Sequence, residues 1–193
     1  EISLGLVGSE MCIRDRLLIM CEGPNEKEII DILLEHGKLI FTADDLLGLV
    51  PYHARQIKNS GQVKAALNIY PEEVKVLRVG DTQSEKLTIP AEYKHKIVGE
   101  EKYCTKPELE ILLIISEGLY DQYEKVKSKM KPKDFAKQNI KLGKKRYNNS
   151  TQFYRDYYGN NVDSLVSAII VYRRKKGTHK KDELYLADLL VEK

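Results

Sequence analysis

The sequence predicts an α/β protein with a mostly parallel sheet flanked by helices, extended at its C-terminal end by a basic helical part. Three observations carry this. The run Leu17-Leu18-Ile19-Met20-Cys21 is continuously apolar and of strand length, and residues 74–79 form a second strand pattern that ends at Gly80-Asp81. Strand and helix signals alternate through the first hundred residues, the order that a parallel sheet requires. From Leu119 onward the periodicity is helical and the charge changes sign.

Residues 1–16 are set aside. Glu10-Met11-Cys12-Ile13-Arg14-Asp15 reads back as GAG ATG TGT ATA AGA GAC, which resembles a translated adapter, the transposon end used in preparing sequencing libraries. The expectation is that 1–16 is not natural sequence and that the natural start, which would complete the first strand, lies elsewhere. Of 193 residues, 177 then remain, enough for one domain with a sizeable core.

Each element has its signal. After the first strand, Glu22-Gly23-Pro24-Asn25 breaks the run, and Ile29, Ile30, Ile32, Leu33 and Leu34 mark a helix that Gly37 stops. Residues 44–48 and 61–69 read as short helices, and Pro71 leads into the strand at 74–79. A short strand near 102–105 runs into a helix opened by Pro107, a residue suited to a first helical turn. Lys131-Pro132 ends one helix and begins another through Phe135 and Ile140, and residues 143–149 are a polar connection. Val162, Leu165, Val166, Ile169 and Ile170 mark an amphipathic helix, Arg173-Arg174-Lys175-Lys176-Gly177 a basic turn, and residues 184–191 a last apolar segment to dock. The organisation expected is a domain over 17–118 with the extension 119–193 packed on it.

Charge is unevenly distributed. Lys and Arg against Asp and Glu number 12 and 17 over residues 17–118, a net of −5, and 18 and 9 over 119–193, a net of +9. This fits an acidic metal-binding part beside a phosphate-attracting one, and equally a lysine-rich solvated surface. No apolar run approaches the ~20 residues of a membrane span, and no secretory signal is present, so a soluble cytoplasmic protein without a membrane partner is expected. Cys21 and Cys104 have neither disulfide nor zinc-ligand spacing and read as buried thiols.

The chemistry begins at Glu22. A strand followed at once by Glu-Gly puts a carboxylate at the C-terminal edge of a parallel sheet, where open α/β folds place their ligand sites. The stretch from Leu18 to Glu26, an apolar strand, then Glu-Gly, then an Asn-Glu helix start, resembles the first motif of the TOPRIM (topoisomerase-primase) nucleases, in particular the RloB and OLD types. There the glutamate is implied to be a general acid/base or metal ligand; by itself it also reads as an acidic turn before a helix N-terminus. Asp81 takes the place of the family's second acidic motif. That motif is Asp-x-Asp, whereas this chain has Val79-Gly80-Asp81-Thr82-Gln83, so one ligand is gone or is replaced by Glu85, Asp44 or Asp45. The third segment, Lys106-Pro107-Glu108-Leu109-Glu110-Ile111-Leu112-Leu113, is similar to the RloB-type Asn-Pro-x-Phe-Glu-x-Trp-Leu-Leu, which would let Glu110 point from a first helical turn toward Glu22 and Asp81; by itself it reads equally as a first-turn glutamate stabilised by the helix dipole.

The resemblance implies a Mg²⁺- (or Mn²⁺-) dependent phosphodiesterase acting on DNA or RNA, with a role in phage defence or mobile elements. Glu22, Asp81 and Glu110 would be catalytic, with Glu22 and Asp81 on the metal. Lys144, Lys145, Arg146, Arg173, Arg174, Lys175 and Lys176 are the candidate phosphate contacts, with interleaved Tyr147, Phe153, Tyr154, Tyr157, Tyr158 and Tyr172 either stacking on unpaired bases or forming core. The altered second motif leaves open an inactive TOPRIM-like module that binds nucleic acid, a nucleotide or a protein partner. Phosphate-loop, GxSxG and HExxH motifs are absent from the sequence, and His36, His53, His95 and His179 are scattered.

Overall fold

The computed structural model describes residues 16–81, 85–175 and 183–191. Strand β1 (Arg16–Cys21) leads through α1 (Pro24–Glu35) to the two-residue β2 (Tyr52–His53), then α2 (Gly61–Ile69), β3 (Val74–Gly80) and β4 (Ile97–Cys104). Helices α3 (Ile111–Ser116), α4 (Tyr120–Val126) and α5 (Pro132–Asn139) follow. A hairpin of β5 (Lys141–Leu142) and β6 (Lys145–Arg146) precedes α6 (Thr151–Tyr158), α7 (Val162–Arg174) and β7 (Leu184–Tyr185).

The protein is α/β. Five strands in the order β2-β1-β3-β4-β7, all parallel, form one sheet flanked by the seven helices of the described residues. Arg16, set aside with the N-terminal segment in the sequence, is the first residue of β1 and pairs with Val74; the rest of that segment lies outside the described residues.

Strand alternation divides the core. Leu18, Met20, Val74 and Val76 face a cluster with Ile57, Val63 and Leu67 on the α2 side, while Ile19, Cys21, Leu77 and Val79 face the cluster that α1, α3, α5, α6 and α7 complete. Both faces are covered, which is why β1 reads as an unbroken apolar run rather than an alternating one. The residues after 118 belong to this same core. Leu165, Ile169, Phe153 and Tyr154 pack in the cluster that holds Ile19 and Cys21, β7 adds a parallel strand to β4, and Arg155 of α6 pairs with Glu28 and Glu35 of α1.

Several elements depart from expectation. The strand placed near 102–105 starts at Ile97 and pairs with β3 over most of its length. Pro107 does not open a helix: α3 begins at Ile111, because the Glu108 side chain instead accepts from Lys133 N at 2.9 Å, at the start of α5, and the Glu110 side chain turns inward. The 44–48 helix is two 3-10 turns, Ala43–Asp45 and Leu47–Leu49, separated by an extended Leu46. The polar connection at 143–149 contains the β5–β6 turn, and Arg173 and Arg174, placed in a basic turn, are the last turn of α7, where positive charge suits the helix dipole.

Candidate active site

The chain leaves β1 toward one face of the sheet, into α1, and leaves β3 toward the other, into the segment that packs Leu87, Ile89 and Tyr93 against the α2 side. Adjacent strands whose connections diverge in this way open a crevice at their carboxyl ends. Glu22 and Asp81 flank it.

Glu22 is fixed by its backbone, whose N–H donates to Val79 O at 2.8 Å, and its side chain lies over Gly80. Arg55 closes the outer side, with Nη1 3.5 Å from Glu22 Oε1 and Nε donating to Glu22 O at 3.3 Å.

Glu26, which the motif comparison passes over as part of a helix start, is the centre of the acidic group. Its carboxyl is pushed up to about 7, first by burial and then by the charges of Asp81, Glu110 and Glu22; a hydrogen bond from its own backbone N–H opposes the shift. It folds back over Gly23, where a Cβ would come within 2.5 Å of its Oε2. The sequence signal for it is the first-turn position four residues after Glu22, on the α1 end that faces the crevice.

Glu110 is buried and raised by desolvation, with Tyr147 opposing: the Tyr147 hydroxyl donates to Glu110 Oε1 at 2.6 Å. With its amide nitrogen 3.1 Å from Glu110 Oε1, Asn149 accepts from Lys133 Nζ at 2.9 Å. Glu110 is thus anchored on the β6–α6 side, in contact with the acidic group through the field at Glu26 rather than pointing freely at Glu22.

Of the proposed substitutes for the missing acid, Asp44 and Asp45 do not join the site, whereas the charge of Glu85 acts with that of Glu22 on Lys102. Leu46 bridges to Leu17, so Asp44 and Asp45 lie at the opposite, N-terminal end of β1, and Asp45 accepts from Thr42 N. Glu85 accepts from Gln56 Nε2 at 2.8 Å. Thr82 and Gln83 lie outside the described residues. Among the described residues no group of three or more His, Cys, Asp or Glu side chains is spaced to hold one ion jointly. The donor chemistry nevertheless suits a hard cation, because Mg²⁺ keeps several waters and takes one or two carboxylates from the protein.

A second feature was not visible in the sequence motifs. Met20, Arg78 and Lys102 stand side by side across β1, β3 and β4 and, with Glu22, Arg55 and Gly80, line a narrow cleft at this same edge. A cleft of about 740 Å³ lies away from this site against residues 46–52 and α2; no carboxylate, histidine or cysteine is found among the described residues lining it.

The basic candidates fare unequally. Lys145 pairs with Asp156 at 2.8 Å, Arg173 with Asp188, and Lys175 reaches Asp121 at 4.0 Å while lying over the Tyr120 ring. Lys144 and Arg146 are exposed on the hairpin and Arg174 is exposed at the end of α7. Lys176 lies outside the described residues. Base stacking by the interleaved aromatics is overturned for most of them: Tyr147, Phe153, Tyr154, Tyr158 and Tyr172 are buried, and Phe153 stacks on Tyr157 at 6.0 Å. Their burial follows from the α6 and α7 faces that cover the sheet.

No helix among the described residues is long and apolar enough to cross a membrane. Comparison with protein-family models, curated proteins and solved structures finds no match for this chain.

Proposed function

We propose that the protein is a TOPRIM-like, Mg²⁺-dependent phosphodiesterase acting on nucleic acid. The observation that carries this reading is the gathering of Glu22, Glu26 and Asp81 at the divergent ends of β1 and β3, where burial first and the neighbouring carboxylates after it raise Glu26 to about 7. Mutually repelling carboxylates at a ligand-binding edge cost stability unless a cation compensates them.

Glu22 and Asp81 would hold the ion, which when bound supplies charge neutralisation and an acidified water. Glu26, raised to about 7, can hold or release a proton near neutral pH at the same edge. Gly80 leaves room for the Glu22 side chain above the strand end, and Arg55 pairs with Glu22 from the outer side. Exposed Lys144, Arg146 and Arg174 supply the long-range attraction for a polyanion. A role in phage defence, with a protein partner in a multi-subunit system, is the biological setting the resemblance suggests.

One observation favours a second reading, an inactive module that binds nucleic acid, a nucleotide or a protein partner. Glu22 is already paired with Arg55, and no three ligands converge among the described residues. Incubating wild type and Glu22→Gln with single-stranded DNA, duplex DNA and RNA in Mg²⁺, Mn²⁺ and chelator separates the two. Cleavage that needs the metal and is lost in Glu22→Gln supports the enzyme. Binding without cleavage under every condition replaces it with the module, and equal cleavage by the variant removes Glu22 from the site.

A further inference from the structure

We infer that the cleft where β1, β3 and β4 end is a subsite for one oxygen of a phosphate group, built from Lys102, Arg78 and Arg55. The inference rests on the phosphodiester reading for the identity of the substrate, and assigns it a contact that no acidic motif provides.

The register brings the cations together. Arg78 on β3 is directly beside Lys102 on β4, and Arg55 stands at the mouth above Glu22. Arg78 is 6 % exposed and held from behind, its Nη1 donating to Glu100 Oε1 and to Glu85 O, each at 2.9 Å. Its position therefore does not depend on a ligand.

Lys102 is different. Its Nζ is buried and has no hydrogen-bond partner among the described residues. Burial, followed by the neighbouring Arg78, lowers its pKa, while Glu22 and Glu85 oppose this. The fold satisfies a comparable lysine elsewhere: Lys96 Nζ donates to Leu67 O at 2.6 Å and to Tyr70 O at the end of α2. A buried amine left without a partner costs stability, and such groups concentrate where a ligand completes them.

The dimensions select the ligand. The cleft has room for about one water-sized atom. That excludes a base, a sugar or a whole phosphate, and admits a single oxygen with the remainder of its group outside, beside Glu22. The three cationic side chains offer only N–H donors. An anionic oxygen can accept from all of them, whereas a water accepts from two at most. For a phosphate presented to Glu22 and Asp81, a non-bridging oxygen enters the cleft, and negative charge growing on it is met by Lys102.

The test is a titration of the full chain with inorganic phosphate in chelator, followed by amide chemical shifts. Wild type should show shifts at Glu22, Gly80 and Lys102, and Lys102→Met should weaken binding by roughly tenfold or more, the worth of one charge-assisted hydrogen bond. Arg55→Gln, at the exposed mouth, should weaken it less, and Lys94→Gln, exposed just before β4 at the opposite end of the sheet, not at all. The melting temperature of Lys102→Met should equal or exceed that of wild type, since the variant loses an unpartnered amine. Undiminished binding by Lys102→Met and Arg55→Gln, shifts confined to the 141–146 hairpin, no response to phosphate, or a marked loss of melting temperature in Lys102→Met would each overturn the subsite. Phosphate bound in the cleft by a protein that cuts no nucleic acid leaves the subsite standing and removes the phosphodiesterase.

Discussion

Glu22 occupies the space that a side chain at Gly80 would need: a Cβ there would stand 2.2 Å from Glu22 Oε2 and 2.6 Å from Glu22 Cβ. Gly80 is not in the left-handed region, so the requirement is for room rather than for conformation. Glu22 Cβ cannot step aside cheaply, because the Glu22 N–H is tied to Val79 O. Gly80→Ala is therefore expected to displace the glutamate at a cost of about 1–3 kcal/mol. Urea denaturation reads that loss, and metal-dependent cleavage should fall toward the level of Glu22→Gln while the fold persists. Cleavage unchanged in Gly80→Ala would show that the glutamate's position over Gly80 is immaterial.

Glu26 gives a dependence of stability on pH with a definite sign. Its folded-state pKa, about 7, lies above the ordinary value of 4.5, so the folded state holds the proton more tightly than the unfolded state. The associated stability is fully present below pH 4.5 and is lost as the pH rises through 7, a difference of up to roughly 3 kcal/mol. Glu26→Gln should be more stable than wild type at pH 8 in chelator, and its stability should vary less between pH 5 and 8. Parallel profiles for the two proteins would place the titration elsewhere.

Tyr147 holds Glu110 in the core, and Tyr154 lies 3.1 Å beyond it, hydroxyl to hydroxyl. Tyr147→Phe keeps the packing against Phe153 and Tyr154 but leaves the buried carboxyl without that donor. A loss of about 1–3 kcal/mol is expected in chemical denaturation. Glu110→Met combined with Tyr147→Phe should cost less than the sum of the two single changes, because each removes the same bond. Strict additivity would mean that the bond contributes nothing.

The exposed cations should divide by their partners. Neutralising Lys144 and Arg146 together should reduce the salt dependence of nucleic-acid binding, lowering the log–log slope by roughly 1.4–1.8 if each meets one phosphate. Arg173→Gln should act differently, with a loss of stability from its broken pair with Asp188 and a smaller change in slope. A binding isotherm measured from low to high salt checks both. Equal slopes for wild type and the hairpin variant would return Lys144 and Arg146 to a merely solvated surface.

The sequence by itself determined the parallel sheet and the two acids at its edge. A strand buried on both faces must be apolar throughout, and a chain that turns at once after it must use residues such as Glu22-Gly23 or Gly80-Asp81. Helix stops and starts were equally local: Gly37 adopts a φ of +60° and Pro132 opens α5. What only the tertiary structure decided was the company each residue keeps. Pro107 has the signal of a helix start, yet Glu108 caps α5 and Glu110 turns to Tyr147, two contacts across 25 and 37 residues that local propensity does not contain. The aromatics of α6 and α7 look alike in sequence whether they stack on bases or fill a core, and the faces that meet the sheet buried most of them. The row of Met20, Arg78 and Lys102 exists only through strand register, because three residues from three strands become neighbours when hydrogen bonds align them.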